Sequence, residues 1–318
     1  MRVQAARLET HGEPLVVEDI DLPAPSAEEV VIDMAFGGVN PVDRYGALGR
    51  VAADGPLPRT LGSEGAGFVD GDRPVIARGH GLGSMRDGLW ATQAVVPADA
   101  LIDVPPGVAL EAAAAMGVAG VTAWRTTIEL AKVTPEDRVL VLGASGGVGS
   151  MIVSIVHRIG ATVWGQTGDA AKRSFVAERG AEHVAVTDSD DLGSFVAELA
   201  GLRPTVVLDA LGGPFFGAAI EAMAPRGRLI AFGTSADANG WVPLQALYRK
   251  SLQVIGYGGL METDEAIAAG IAEALRAAAD GRLEVCIDSL IPLPEVNDAF
   301  ARLVDRSVRG KLLLDLRT

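Results

Sequence analysis

At 318 residues the chain is too long for one ordinary core and suits two domains. Its 49% hydrophobic and 21% charged content supports a large core and excludes wholesale disorder. The net charge of −14 opposes sequence-independent binding to nucleic acid or anionic lipid, and the single cysteine, Cys286, excludes an intramolecular disulfide and a multi-cysteine zinc site.

From Met1 to Pro14 there are two arginines and no apolar run, so no secretory signal is expected and the cytoplasm is the expected location. Leu15-Val16-Val17 and Val30-Val31-Ile32 are β-rich runs, parted by the breaker-rich Leu22-Pro23-Ala24-Pro25-Ser26. Val69-Asp70-Gly71-Asp72 predicts a tight hairpin, because Asp-Gly tolerates the positive φ of a type I′ turn. Further turns fall at Gly79-His80-Gly81 and Pro105-Pro106-Gly107. The alanine-rich stretch 111–123 predicts a helix. From Arg138 onward strands and helices alternate, over 139–142, 148–159, 161–166, 170–179, 184–186, 192–199, 206–209, 215–224, 229–232 and 252–255. Such alternation implies a parallel sheet with crossover helices. The tail carries a predicted helix over 264–279 and a closing strand over 311–316.

One uncharged stretch, 139–156, has the length of a membrane span. Its centre, Gly143-Ala144-Ser145-Gly146-Gly147-Val148-Gly149-Ser150, suits a strand, a glycine loop and a helix instead. Val148, Met151, Ile152, Ile155, Val156 and Ile159 line one helical face behind that loop. A pyrophosphate needs this arrangement, since backbone must approach it without Cβ and free helix N–H groups must point at the anion. Ser145, Gly146, Gly147, Val148 and Gly149 are therefore the expected dinucleotide contacts. An NAD-binding chain usually carries Asp or Glu at the end of the next strand, roughly 20 residues on, for the ribose 2′-hydroxyl. That position falls near Thr167, beside Gln166 and Gly168, and none of these would repel a 2′-phosphate. Lys172 and Arg173 follow and can pair with the phosphate; the alternative is a solvated helix face. Asp169 argues the other way unless it only caps the helix. The balance favours NADPH.

Together with Asn40-Pro41-Val42-Asp43, Gly62-Ser63-Glu64-Gly65-Ala66-Gly67, Gly71-Asp72-Arg73, Ala119-Gly120-Val121-Thr122-Ala123, Leu208-Asp209-Ala210-Leu211-Gly212-Gly213 and Gly227-Arg228-Leu229-Ile230-Ala231-Phe232-Gly233, the loop resembles a known family. The chain is similar to the zinc-free quinone oxidoreductase group of the medium-chain dehydrogenases/reductases over nearly its whole length. The resemblance implies an α/β chain with a Rossmann doubly wound parallel sheet over 113–257. A GroES-like, mostly β catalytic domain would form from 1–112 and 258–318. It also implies a homodimer. Where zinc alcohol dehydrogenases carry a Cys and a His ligand, this chain has Asn40 and Ser63, and the four-cysteine structural lobe is missing. Asp43 and Glu64 persist, as residues that hold loops together. His11, His80, His157 and His183 are scattered, and no metal site is expected.

The resemblance places Thr122, Phe232, Gly233 and Thr234 by the nicotinamide and its ribose, and Gly212 in the same cofactor site. Asn40 and Tyr45 sit on the loop facing the pocket. Asn40 can donate a hydrogen bond to a carbonyl oxygen as charge forms there, and Tyr45 can supply a hydrogen bond or a proton. Ser63 is a further candidate, or fills the space a zinc ligand left. Tyr257 is a candidate pocket residue. Two departures from the family pattern stand out, a trimmed wall of the catalytic domain and a missing tyrosine. The hairpin at Gly67 to Gly71 is shorter than usual in the family. Val51 stands where the similar mitochondrial 2-enoyl thioester reductases carry a catalytic tyrosine, which argues against a fatty enoyl thioester. The expected function is NADPH-dependent hydride transfer to a quinone or an α,β-unsaturated carbonyl compound. The alternatives are a biosynthetic tailoring reductase of a larger substrate and a catalytically silent NADPH-binding protein.

Overall fold

The computed structural model describes residues 2–187 and 192–317, and the chain divides into two compact units. The first comprises Met1–Val121, Glu262–Asp280 and Val285–Thr318; the second comprises Thr122–Met261 and Gly281–Glu284.

The second unit is built on six parallel strands. In order across the sheet they are His183–Val186, Thr162–Thr167, Arg138–Leu142, Val206–Asp209, Arg228–Ala231 and Gln253–Gly256. Numbered in chain order within the unit this is 3-2-1-4-5-6, the doubly wound Rossmann arrangement. Residues 139–142 and 206–208 of its central strands are buried and read as continuous apolar runs, because helices cover both faces of such a sheet. Helix Gly147–Ile159 follows the first strand and ends on Gly160 in the left-handed conformation, φ 88°. Helix Leu192–Leu202 and helix Gly213–Ala222 pack through Phe195, Leu199, Phe215 and Ile220.

The first unit is mostly β, as expected of a GroES-like domain. A seven-stranded sheet runs Ile287–Pro292, Lys311–Asp315, Glu29–Val39, Glu64–Val69, Arg73–Arg78 and Leu101–Asp103, with Gln93–Pro97 also paired to Glu29–Val39. A small sheet joins Val16–Asp21, Arg2–Leu8 and Arg59–Thr60. Ile32, Leu61, Trp90, Leu312 and Leu314 fill the core beneath them. Between Glu64–Val69 and Arg73–Arg78 the hairpin turns through Asp70 and Gly71, both at positive φ (54° and 91°).

The alanine-rich stretch departs from the expected single helix. It forms short α segments, Leu110–Ala113 and Val121–Trp124, interrupted by π turns at Met116–Gly120 and Arg125–Leu130. The first π turn has a visible cause. The Val118 N–H leaves the helical ladder and donates to Glu64 Oε2 at 2.8 Å. Gly117 lies so close that a Cβ there would sit 2.9 Å from Glu64 Cβ. Elsewhere the expected elements of the second unit recur with ends shifted by one to three residues, helix Leu244–Arg249 is not among those expected, and the short run at residues 30–32 is part of the longer strand Glu29–Val39. Residues 170–179 open on a 3-10 turn, Ala170–Lys172, before helix Arg173–Glu178.

Candidate functional site

In the second unit the sheet order reverses between strands Arg138–Leu142 and Val206–Asp209, whose carboxyl ends open a crevice. Gly143 leaves the first of these strands at φ 72°, a conformation that strains any side chain. The helix begins at Gly147, with Gly146 as its N-cap. The first helical bond of this turn is Ser150 N–H to Gly146 O at 3.0 Å, so the N–H groups of Gly147, Val148 and Gly149 have no helical acceptor. Gly149 packs against the loop, since a Cβ there would fall 2.2 Å from Gly143 O. Backbone donors so arranged, with no side chain in the way, form a cradle that can hold an anion.

Gln166 braces the cradle from the next strand. Its Oε1 accepts from Gly143 N at 3.1 Å, its Nε2 donates to Thr187 O at 2.6 Å, and its backbone O accepts from Ala144 N at 2.8 Å. Thr167 is buried, with its hydroxyl 3.1 Å from Ser145 Oγ, which joins the strand end to the loop. Asp169 Oδ1 accepts from Ala171 N at 2.8 Å, so that carboxylate caps the following 3-10 turn. Lys172 is only 5% exposed, so the solvated-face alternative fails for it, whereas Arg173 is exposed. Across the switch point, Asp209 Oδ1 accepts from Leu211 N (2.7 Å) and Gly212 N (3.0 Å), holding Gly212 at φ 65°. Burial pushes the Asp209 carboxyl above its usual range, against those two N–H groups. Phe232, Gly233 and Thr234 follow the next strand. Phe232 N donates to Asp209 O at 2.9 Å, and a Cβ on Gly233 would meet Ala210 O at 2.7 Å. The carboxyl ends of the parallel strands thus gather Ser145 to Gly149, Thr167, Gly168, Gly212 and Phe232 to Thr234. Thr122 lies on Val121–Trp124, where its carbonyl accepts from Thr126 Oγ1 at 2.7 Å.

The first unit holds a buried polar cluster around Asn40. Asn40 precedes helix Pro41–Ala47, and its N–H donates to Asp43 Oδ2 at 2.9 Å. Asp43 Oδ1 accepts from Ser63 N at 3.0 Å, so this carboxylate ties the two loops together. Burial raises the Asp43 pKa above the ordinary range, with the hydrogen bond from Ser63 pulling the other way. The Asn40 Nδ2 donates to Glu64 Oε1 at 2.6 Å, and Lys311 Nζ donates to Glu64 Oε1 at 2.6 Å, to Val39 O at 3.1 Å and to Asn40 Oδ1. The Ser63 hydroxyl is buried without a partner, while its carbonyl accepts from Arg78 Nη1 at 3.2 Å. Tyr45 is half-buried on Pro41–Ala47, Val51 half-buried beyond it.

Lys311 and Gln166 are the residues that sequence reasoning passed over. Lys311 read only as the start of a strand; the available signal was a lone cation abutting Leu312-Leu313-Leu314, which marks a charge carried into a core. Gln166 read only as a residue tolerant of phosphate.

Three comparisons bear on this arrangement. The family model described as zinc-binding dehydrogenase matches residues 147–289. The chain is 30% identical over 312 residues to a phenolphthiocerol/phthiocerol polyketide synthase chain of Mycobacterium tuberculosis, covering 95% of this chain but 14% of that much longer one. It is 27% identical over 316 residues to quinone oxidoreductase-like protein 2 of Mus musculus, covering 96% of this chain and 90% of the relative. Among solved structures, mycobacterial Rv1454c complexed with NADPH superposes with a TM-score of 0.84 at 26% identity, covering 98% of this chain and 99% of that one. No helix among the described residues is long and apolar enough to cross a membrane.

Proposed function

Because this chain belongs to the medium-chain dehydrogenases/reductases of the quinone oxidoreductase group, we propose that it is a zinc-independent, NADPH-dependent reductase of quinones or α,β-unsaturated carbonyl compounds. The observation that carries this reading is the glycine cradle at the switch point, with a strand end that presents Thr167 in place of a ribose-binding acid. Bound NADPH supplies a hydride for the electrophilic carbon of the acceptor. The loop from Ser145 to Gly149 holds the pyrophosphate, and the exposed Arg173 meets the 2′-phosphate. Asp169 is spent on its cap. Gly233 and Thr234 lie by the nicotinamide. On the acceptor, an N–H of Asn40 binds the carbonyl oxygen as negative charge builds there. Tyr45 delivers the proton that completes an enone reduction.

Zinc independence is supported by the donor set. Asn40 and Ser63 are poor ligands, and the Glu64 carboxylate is already satisfied by Lys311, Asn40 and Val118. Among the described residues no group of three or more His, Cys, Asp or Glu side chains is arranged to hold a metal ion. A homodimer is supported by the second unit's edge strand Gln253–Gly256, in which Val254 is exposed, and by the exposed Trp241, Leu244 and Tyr248 of the same unit. Sedimentation of the wild type and Val254→Lys tests that assembly.

A second reading, a tailoring reductase of a larger carrier-bound acyl substrate, is favoured by the similarity to a segment of a polyketide synthase. The test is a panel of quinones, small enones and acyl thioesters, run with NADPH and NADH in parallel and with elemental analysis. Chelator-resistant NADPH oxidation by small acceptors is the expected result. Preference for the thioesters selects the second reading. Tight NADPH binding with no turnover selects a silent binding protein.

A further inference from the structure

Lys311 opens strand Lys311–Asp315 and is 3% exposed, ahead of three fully buried leucines. An ammonium taken out of water needs every donor satisfied, and Val39 O, Glu64 Oε1 and Asn40 Oδ1 account for all three. Glu64, with no exposed surface, accepts from Lys311 and Asn40 on one oxygen and from Val118 N on the other. Asn40 therefore lies between a group that only donates and a group that only accepts. Its carboxamide has one permitted orientation, Oδ1 toward Lys311 and Nδ2 toward Glu64. The flipped amide would set N–H against ammonium and oxygen against carboxylate. Once locked, Nδ2 retains one uncommitted hydrogen. The ammonium on Oδ1 also draws electron density through the amide and makes that hydrogen a stronger donor.

We propose that Lys311 and Glu64 are positioning residues that lock and polarise the Asn40 carboxamide, so that it meets the substrate through its N–H and favours acceptors whose carbonyl oxygen gains negative charge. This rests on the reading of Asn40 as a substrate donor, and the experiment separates the two. The chain has three asparagines, Asn40, Asn239 and Asn297, so 15N-asparagine labelling yields three side-chain amide pairs. The Asn40 pair should shift strongly in Lys311→Met and Glu64→Gln and stay close to wild type in Lys311→Arg. With NADPH and cyclohexenone, kcat should fall roughly 10-fold or more in Lys311→Met and Glu64→Gln. KM for NADPH should hold, and Lys311→Arg should recover most of the rate. A purely structural role would lower the thermal midpoint without this kcat-specific loss. If Lys311→Met does not fold, Glu64→Gln, which keeps the volume, decides. An Asn40 pair unmoved in the folded variants, or an unchanged kcat, overturns the proposal. Asn40→Asp keeps an acceptor for Lys311 but has no N–H. Wild-type turnover in that variant sinks the donor reading itself. Slow turnover there beside normal rates in Lys311→Met and Glu64→Gln sinks only the positioning. The amide spectra need no substrate, so the lock is decided even if no acceptor is turned over.

Discussion

Gly146 and Gly149 separate the two demands on the glycine loop, folding and anion binding. A Cβ on Gly149 would lie 2.2 Å from Gly143 O and 2.8 Å from Ala144 Cα, both backbone atoms that cannot swing aside. In Gly149→Ala the helix Gly147–Ile159 must therefore draw back from the strand. Overpacking of this kind costs about 1–3 kcal/mol, against at most about 1 kcal/mol gained from alanine's helix propensity. A net loss of ~1–2 kcal/mol lowers Tm by roughly 1.5–3 °C in a protein of 318 residues. Gly146 differs. Its φ of −83° suits any residue, and the nearest atom to its Cβ would be Gly143 O at 3.5 Å. Gly146→Ala should leave stability within about 1 kcal/mol, yet place a methyl group where pyrophosphate must meet backbone. NADPH affinity should then fall by roughly 10-fold or more, which is ~1.4 kcal/mol. Calorimetry and a fluorescence titration of NADPH measure the two effects independently. Unchanged NADPH affinity in Gly146→Ala, or unchanged Tm in Gly149→Ala, refutes the assignment of roles.

Arg173→Ala should raise KM for NADPH by about 10- to 100-fold and leave NADH kinetics alone, the cost of one charge-assisted contact to the 2′-phosphate. Equal effects on both cofactors would remove Arg173 from the site. Tyr45→Phe should slow enone reduction more than quinone reduction, because a quinone accepts its protons from solvent; parallel kcat measurements on the two acceptors decide it. Asp137 supplies a pH prediction. Burial by itself would raise its pKa, but Arg228 (2.7 Å), Thr134 N (2.9 Å) and Thr205 Oγ1 (2.7 Å) together hold it below the usual value. A depressed carboxyl stabilises the fold above its unfolded pKa of about 3.9 and loses that contribution as pH falls through the folded value. Asp137→Asn should thus be less stable than wild type at pH 7, with the gap closing below about pH 4. A gap of constant size across denaturation midpoints from pH 3 to 7 would contradict the pairing.

Much of the second unit was legible from residue order. Continuous apolar runs such as Val139 to Leu142 suit only strands covered on both faces, and a glycine loop between such a strand and an amphipathic helix has few other uses. The helix over Asp264–Ala279 was equally plain, with Thr263 capping Ala266 N at 3.2 Å. The alanine-rich stretch misled because helix propensity is a local quantity. What broke that helix was a carboxylate more than fifty residues away in sequence, drawing Val118 N–H to itself.

By itself, then, the sequence determined the elements whose cause is local: the periodicities, the Asp-Gly turn at Asp70, the glycines of the cradle, and the absence of cysteine and histidine at Asn40 and Ser63. Only the tertiary structure decided which charges meet. Lys311 and Glu64 lie 247 residues apart in the sequence, and strand pairing of Lys311–Asp315 beside Glu29–Val39 carries that ammonium to the Asn40 amide. The same holds for Lys172, a cation that composition would leave in water and packing buries. A side chain's partner depends on how strands register across the sheet, and that pairing is not written in its sequence neighbours.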